Sequence, residues 1–372
     1  MKFLKITELK LNNFRNLKKI NSIVWDNKIN ILIGQNAQGK SNLLEAIYYL
    51  SNGKSFRTNI DSDLIKWNEN YSLVKALIKN KHYQFKIECR LSNSYNKEFY
   101  LNGSKALKTI DATQYFATVL FSPEDLMLVK GGPSERRKFL DEEISQISPS
   151  YANHLKDFKR VLLQRNNCLK NNIFDAKLEV WTEQLVQIGS HILYKRIEVT
   201  EKLKPLSRLI NRKLTQGEEN LEIDYSSTIK NIDKSKSVEV IKSEFYKQLS
   251  LKSKEEKIKK ITSVGPQRDD LSLKINGMDI RSFGSQGQQR TASLALKLAE
   301  IEFIKSEIGE YPVLLLDDVF SELDNDRKRF LLETVADKIQ TFITGTDITG
   351  LHKDLIKNAK IFNVKNGIIN IN

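Results

Sequence analysis

Apolar and polar positions alternate along the first part of the chain, as they do in β-strands. Residues 3–11 alternate before Asn12-Asn13 and predict a strand that pairs with a second strand over 20–25. In residues 30–33, Asn30 is followed by three apolar residues that lead straight into Gly34, which predicts a short buried strand. Helical spacing follows over 42–50, and further alternating segments predict an antiparallel meander at 71–78, 83–91 and 98–101.

The pattern becomes helical after residue 150, with breaks expected at Asn171-Asn172, Pro205 and Gln216-Gly217 and one strand-like alternation over 221–225. A mixed pattern returns from Thr262, with strands expected at 271–275, 312–316 and 340–344, a helix at 291–305 and a hairpin over 359–371. We therefore predict an α/β domain built from 1–150 and 262–372, divided by an inserted helical lobe at 151–261.

The net charge of the chain indicates a class of binding partner. The 372 residues carry a formal charge of +14, and the 112 residues 151–262 hold 23 basic and 15 acidic residues. This excess favours a polyanion such as DNA, with Arg57, Arg136, Arg137 and the lysines of the lobe as candidate contacts. The alternatives are a lysine- and asparagine-rich bias of the whole proteome and, for single residues, an ordinary solvated helix face.

Several classes of protein are disfavoured. No apolar stretch approaches the roughly 18 residues that a membrane span needs, and the first residues are charged where a signal peptide would be apolar. Cys89 and Cys168 are too few for a disulfide scaffold, and the four histidines lie far apart. The sequence predicts a cytoplasmic protein with no membrane association.

A phosphate-binding loop is the clearest chemical feature. Its eight residues match G-x-x-x-x-G-K-[ST], and they follow an apolar strand and open a helix, which is the setting that the pattern requires. Backbone N–H groups and the helix N-terminus would hold the phosphates of ATP, the lysine would reach the β- and γ-phosphates, and the serine hydroxyl would bind Mg²⁺. The residues are Gly34, Gln35, Asn36, Ala37, Gln38, Gly39, Lys40 and Ser41.

An acidic pair ends the apolar strand at 313–316. We expect Asp317 to hold Mg²⁺ through water and Asp318 to orient or deprotonate the attacking water. Because Lys40 and Asp317 are 277 positions apart, the two halves of this site must flank a large insertion.

A Ser/Gly/Gln turn over 282–290 opens the helix predicted near Thr291 and offers free backbone donors to an anion. Taken alone it is a good helix cap. Its position before Asp317 resembles the signature motif of ABC-type ATPases, with Ser285, Gly287 and Gln288 as the phosphate contacts. The stretch from Ser321 to Asp324 resembles their D-loop, and residues 10–17 resemble the nucleotide-side loop of SMC-like heads.

Taken together, the chain resembles the RecF family of bacterial recombination and replication-repair ATPases, which have ABC/SMC-like heads. The resemblance covers nearly the full length, in family order. It is carried by the blocks 121–126 (FSPEDL), 131–137 (GGPSERR), 264–270 (VGPQRDD), 285–291 (SQGQQRT) and 316–324 (LDDVFSELD).

This resemblance implies an ATPase head, a compact helical second lobe and an ATP-bound homodimer. The turn at Ser285, Gly287 and Gln288 of one chain would close over the γ-phosphate held by Lys40 of the other, with Asp324 beside the same nucleotide. It also implies binding to gapped or junction DNA, RecO- and RecR-like partners that load RecA, and a role in DNA damage and the SOS response.

Two departures from the pattern of ABC-type ATPases affect the expected rate of ATP hydrolysis. Asp318 stands where most ABC ATPases have Glu, which shortens the reach to water, so we expect slow, DNA-stimulated hydrolysis that acts as a switch. No histidine occurs in 344–347, where Thr346 or Asp347 would have to replace a γ-phosphate sensor. Two other classes are disfavoured: a transporter subunit fits poorly with the basic insertion, and a DNA-end-processing ATPase should carry a long heptad arm.

Overall fold

A computed structural model describes residues 4–26, 28–233, 235–347, 357 and 359–371. Its contacts divide the chain into two compact units. Unit 1 comprises Met1–Asp125 and Glu300–Asn372, and unit 2 comprises Leu126–Ala299. Unit 2 includes more residues than the helical lobe predicted from the sequence at 151–261. Those boundaries stay a prediction.

Unit 1 contains two six-stranded sheets. The antiparallel sheet has the order β2-β1-β4-β5-β6-β7. Its strands are β1 (Lys5–Asn12), β2 (Ile20–Val24), β4 (Tyr71–Lys79), β5 (Gln84–Ser92), β6 (Glu98–Leu101) and β7 (Ser104–Lys105). Buried positions alternate with more exposed ones along β4, which agrees with one face packed on a core.

The second sheet of unit 1 has the order β15-β14-β3-β13-β12-β8. Its pairs are parallel except for the antiparallel hairpin β14–β15. The strands are β3 (Ile29–Ile33), β8 (Thr118–Phe121), β12 (Val313–Leu316), β13 (Thr341–Gly345), β14 (Ala359–Lys365) and β15 (Ile368–Ile371). Both sheets contribute to one apolar core together with α1 (Lys40–Asn52). Unit 1 also holds α2 (Thr109–Thr113) and α10 (Asn325–Val335).

Unit 2 is mainly helical. It contains a three-stranded antiparallel sheet of order β11-β10-β9. The helices are α3 (Met127–Lys130), α4 (Pro133–Ile147), α5 (Pro149–Lys170), α6 (Ala176–Leu214), α7 (Val238–Lys259), α8 (Ile280–Phe283) and α9 (Gln286–Ile308), whose last turns belong to unit 1. The strands are β9 (Leu221–Ser226), β10 (Asp270–Ile275) and β11 (Met278–Asp279).

The break predicted at Pro205 is wrong, because α6 runs unbroken through it for 39 residues. Proline removes one backbone donor and disfavours a helix interior. The helix continues because Leu203, Ser207 and Ile210 on either side of the proline are buried, and this packing outweighs the local cost. At about 1.5 Å per residue the helix is roughly 58 Å long.

The predicted strands and the C-terminal hairpin are confirmed to within about two residues at their ends. The strand β8 was not predicted. Its four residues are all buried and it pairs with β12 in parallel. Periodicity provides little signal for so short an apolar strand.

Candidate nucleotide site

The loop between β3 and α1 has an unusual backbone that its residues must tolerate. Gly39 has φ of 112° and Ala37 has φ of 65°, both in the region that favours glycine. A Cβ on Gly34 would lie 2.2 Å from the carbonyl oxygen of Val364. Lys40 is buried, and its Nζ donates to the carbonyls of Gly34 (2.7 Å) and Gln35 (3.0 Å). The lysine is thus folded over the loop that the sequence assigns to phosphates.

Two neighbouring segments brace this loop, the stretch 10–17 and the turn of the C-terminal hairpin, through contacts that the sequence did not predict. Asn16 donates to the carbonyl of Ala37 (2.9 Å) and accepts from the side-chain amide of Asn42 (2.7 Å). In the β14–β15 turn, the N–H of Gly367 donates to the carbonyl of Gln38 (3.1 Å). These contacts fix the shape of the loop from both sides.

Arg15 lies in the stretch 10–17 that resembles a nucleotide-side loop. Its Nε and Nη2 donate to the two carboxylate oxygens of Glu45 on α1, at 3.0 and 2.8 Å, and its Nη1 donates to the carbonyl of Asp63. The Glu45 side chain is completely buried. A buried bidentate pair of this kind fixes orientation, so Arg15 anchors its loop to the helix that follows the phosphate loop.

The acidic pair lies at the matching edge of the same sheet. In the order β3-β13-β12 all neighbours are parallel, so the phosphate loop and the acids leave the sheet on the same side. Asp317 is buried and Asp318 has φ of 54°. Thr344, at the end of β13, donates its hydroxyl to Asp317 (3.0 Å) and accepts from the N–H of Asp318 (2.9 Å). Sequence reasoning missed Thr344, although its position at the end of the intervening strand was a usable signal.

Arg57 also belongs to this site. Its guanidinium donates to Asn42 next to Ser41 (2.9 Å) and lies 3.5 Å from the Asp317 carboxylate. The Arg57 guanidinium therefore lies between the side chains of Asn42, in the first turn of α1, and Asp317, after β12. Arg57, which the sequence suggested as a DNA contact, faces the acidic pair in this arrangement.

A cavity of about 410 Å³ lies beside Asp318, and Asn36 is the one residue of the phosphate loop among its lining residues, which do not include Lys40, Ser41 or Asp317. Asn36, Asp318, Ser321, Thr346 and Asp347 are among its lining residues. The cavity therefore brings together residues that the sequence singled out in the loop, the acidic pair, the D-loop-like stretch and the segment 344–347. Its volume lies within the range of small-molecule sites.

The oxygen donors present suit Mg²⁺. Ser41 is half-buried in the first turn of α1 and Asp317 offers a carboxylate. Within the described residues there is no cluster of three or more His, Cys, Asp or Glu side chains that could hold a metal ion. One hydroxyl and one carboxylate agree with Mg²⁺, which usually keeps water and phosphate oxygens as its other ligands.

Asp324 caps α10 by accepting from the N–H of Arg327 at 2.9 Å, and its carboxylate also pairs with the Arg327 side chain. The side chain remains about half exposed. Its expected contact with a nucleotide of a second chain stays a prediction.

The turn before α9, in unit 2, forms a reciprocal cap. Ser285 Oγ accepts from the N–H of Gln288 (3.2 Å), and Gln288 Oε1 accepts from the N–H of Ser285 (2.9 Å). Ser285 and Gly287 are exposed. The Gln288 amide nitrogen donates to Glu219 Oε1 at 3.1 Å, a contact that the sequence did not suggest.

The expectation that Arg136 contacts DNA is wrong. Its side chain is buried and forms a bidentate pair with Asp270 at 2.8 and 2.9 Å, with a further bond to the carbonyl of Gly131. Arg137 donates to the carbonyl of Asp269 but stays half-buried. Arg136 therefore stabilises unit 2, and its buried guanidinium cannot reach a partner.

Comparison with protein families gives a match over residues 5–370 to the RecF/RecN/SMC N terminal domain. The chain is 47% identical to the DNA replication and repair protein RecF of Halothermothrix orenii over 369 residues, 98% of each chain. It is 44% identical to the protein of the same name from Natranaerobius thermophilus, over 98% of this chain and 97% of the relative.

Among solved structures, the chain is similar to the recombination mediator protein RecF-ATPrS in the RecFOR pathway. The TM-score is 0.92 at 38% identity, with 99% of this chain and 98% of that one covered. It also matches an Smc head domain from Pyrococcus furiosus with a TM-score of 0.56 at 18% identity, covering 99% and 96%, which shows a shared fold. The expected ABC/SMC-like head with a mixed sheet is confirmed. Among the described residues, no helix is both long and apolar enough to cross a membrane.

Proposed function

This chain belongs to the RecF family of the RecF/RecN/SMC proteins, and from this premise we propose that it is an ATP-dependent DNA-binding protein of recombinational repair and replication restart. The observation that carries the proposal is the edge of the β3-β13-β12 sheet. There the phosphate loop and the pair Asp317 and Asp318 leave parallel strands on the same side.

ATP is the proposed ligand of the loop 34–41. The left-handed backbone at Ala37 and Gly39 suits a loop whose N–H groups converge on an anion. Lys40 would exchange its two carbonyl acceptors for phosphate oxygens. A solved relative at 38% identity is the recombination mediator protein RecF-ATP, which supports the same ligand here.

Mg²⁺ would be held by Ser41 directly and by Asp317 through water, and it would neutralise charge on the phosphates. The Asp317 carboxylate already attracts one cation, the Arg57 guanidinium 3.5 Å away, which Mg²⁺ would have to displace or share. Asp318 would orient the attacking water. The shorter reach of aspartate supports a weak ATPase that resets a switch.

The active form would be an ATP-bound homodimer arranged head to tail. The exposed turn at Ser285 and Gly287, with Gln288, would contact the γ-phosphate held by Lys40 of the second chain, and Asp324 would lie beside that nucleotide. Oriented backbone donors at a helix N-terminus would stabilise charge in the transition state.

The dimer would bind gapped or junction DNA and, with RecO- and RecR-like proteins, promote RecA loading in the cytoplasm after DNA damage, as part of the SOS response. Support comes from the basic helical region 151–262 and from relatives named as DNA replication and repair proteins and as members of the RecFOR pathway. Arg165 and Arg196 lie in the core of that region, so the exposed lysines are the better candidates for phosphate contacts.

The test is the ATPase rate of the full chain with and without gapped duplex DNA. We expect a slow basal rate that rises with gapped DNA and less with intact duplex, and no hydrolysis by Lys40→Arg. A Lys138→Arg variant, on an exposed position of α4, is the matched control and should behave as wild type. A rate that gapped DNA leaves unchanged would contradict coupling between the ATP site and DNA.

A further inference from the structure

Glu219 makes an unusual contact in the turn that we assign to phosphate. Its Oε1 accepts from the Gln288 amide at 3.1 Å. Its Oε2 is buried and has no hydrogen-bond partner among the described residues, and no ion pair of Glu219 is found within them. A carboxylate thus lies against the donor of a proposed phosphate site, and it forms no ion pair with any of the described residues.

The backbone holds Glu219 in this position. The residue lies between α6 and β9, where its N–H donates to Thr215 Oγ1 (3.2 Å) and its carbonyl accepts from the Asn211 side chain (3.3 Å). The next residue, Asn220, exchanges backbone and side-chain bonds with Asn276 at the end of β10. The carboxylate is therefore presented by two fixed elements of unit 2.

Such an arrangement is costly, because an unpaired buried carboxylate oxygen loses its water without gaining a donor. If the only role of this turn were to bind phosphate, a basic or neutral side chain in place of Glu219 would make that binding tighter. The negative charge instead opposes any anion that approaches Gln288. Glu219 also accepts one of the two amide hydrogens that Gln288 can offer.

We propose that Glu219 is a positioning residue that restrains ATP-driven pairing of two chains. It holds the Gln288 side chain in the reciprocal cap, and its charge opposes the γ-phosphate brought by the second chain until the rest of the interface has formed. This inference rests on the proposed function, since it takes Ser285, Gly287 and Gln288 as contacts to ATP across the dimer.

The test compares Glu219→Gln with Glu218→Gln in the full chain. The first change removes the charge but keeps an oxygen that can accept from Gln288. The second removes the same charge one residue away, at an exposed side chain. Sedimentation over a range of protein concentrations, with Mg²⁺ and ATP, measures the dimer dissociation constant. Binding of fluorescent ATP to dilute monomer reports the phosphate loop alone.

We expect Glu219→Gln to lower the dimer dissociation constant by about tenfold or more, because each dimer contains two such turns and charges a few ångströms apart interact strongly when partly desolvated. Glu218→Gln should change it less than about twofold, since an exposed charge is screened by water and salt. Monomer binding of ATP should be the same in all three proteins. The gain in Glu219→Gln should shrink with added salt.

Other results separate the two proposals. If wild type dimerises with ATP and Glu219→Gln matches Glu218→Gln or dimerises more weakly, the restraint is refuted and the homodimer stands. If ATP dimerises Glu219→Gln but neither wild type nor Glu218→Gln, the restraint is supported in its strongest form. If no protein dimerises although all bind ATP, both the homodimer and the restraint are wrong.

Discussion

The hydroxyl of Thr344 joins the two acidic residues of the candidate site. It donates to the Asp317 carboxylate and accepts from the backbone N–H of Asp318, which has the left-handed conformation with φ of 54°. A single side chain thus sets the geometry of both the proposed Mg²⁺ ligand and the proposed water-orienting residue.

Thr344→Val should therefore impair hydrolysis more than nucleotide binding. It keeps the shape of the side chain but leaves the Asp318 N–H without its acceptor, at a cost of about 1–3 kcal/mol. If about 1.4 kcal/mol of that cost falls on the transition state, kcat drops by roughly tenfold. Thr344→Ser, which retains the hydroxyl, is the matched control and should stay close to wild type. Single-turnover hydrolysis and ATP affinity are the measurements, and equal kcat in the two variants would contradict the role.

The roles of single residues were the hardest to predict. The phosphate loop and the acidic pair stand in short patterns with a chemical reason for each position. Arg136, however, looks like any basic residue in sequence, and only the fold brings it to Asp270, 134 positions away. Glu219 and Thr344 were missed for the same reason, since their partners lie on other elements.

Among the elements, the helices of unit 2 are joined by a buried ion pair. Arg165 on α5 contacts Glu256 on α7 at 2.7 Å, with side chains that are 5% and 1% exposed. The remaining guanidinium donors bond to Thr182 on α6 (3.0 Å) and to Thr262 (2.7 Å). One side chain thus ties three helices and the segment after α7 together.

Arg165→Met should destabilise unit 2 by about 3–5 kcal/mol, because it leaves the Glu256 carboxylate buried without its partner. The double variant with Glu256→Met should recover much of the stability, since no charge is then left unpaired. Arg160→Met on the same helix removes only an exposed pair with Asp157, so its effect should be small. Urea unfolding followed by circular dichroism measures all three, and an Arg165→Met protein as stable as Arg160→Met would contradict the argument.

Strand and helix positions in the α/β part were predictable because hydrophobic periodicity and turn residues agree there. Pro205 shows where local rules fail. Its effect on a helix depends on tertiary packing, which a local pattern does not contain.

At the scale of the whole molecule, the sequence predicted one site built from two distant parts of the chain, and both parts follow parallel strands of the same sheet. The order of strands could not be predicted in detail, because β13 and β14 flank β3 through pairings of more than 300 positions. The excess of basic residues in 151–262 is visible in the sequence, but their burial is not. Arg165 and Arg196 are buried, so these two basic residues have no role at the surface.

If the exposed lysines of 151–262 bind DNA phosphates, affinity should fall steeply with salt. Four phosphate contacts would weaken binding by about 100-fold between 50 and 200 mM salt. Fluorescence anisotropy with gapped duplex, in the presence of Mg²⁺ and ATP, measures the slope. Replacing Lys254 and Lys260 by Gln should lower that slope by about one unit for each phosphate that a replaced lysine neutralises. Binding that ignores salt would contradict a phosphate-led interface.

The strand order has a consequence for how the protein is made. The strand β3 is synthesised early, but its sheet neighbours β13 and β14 begin only at Thr341 and Ala359. At about 5–20 residues per second, a ribosome needs on the order of 15–60 s to travel from β3 to β13. Throughout this interval the apolar strand that leads into the phosphate loop lacks both its neighbours, while most of 126–299 has time to emerge. The sheet edge that carries the phosphate loop is therefore completed only in the final stage of translation.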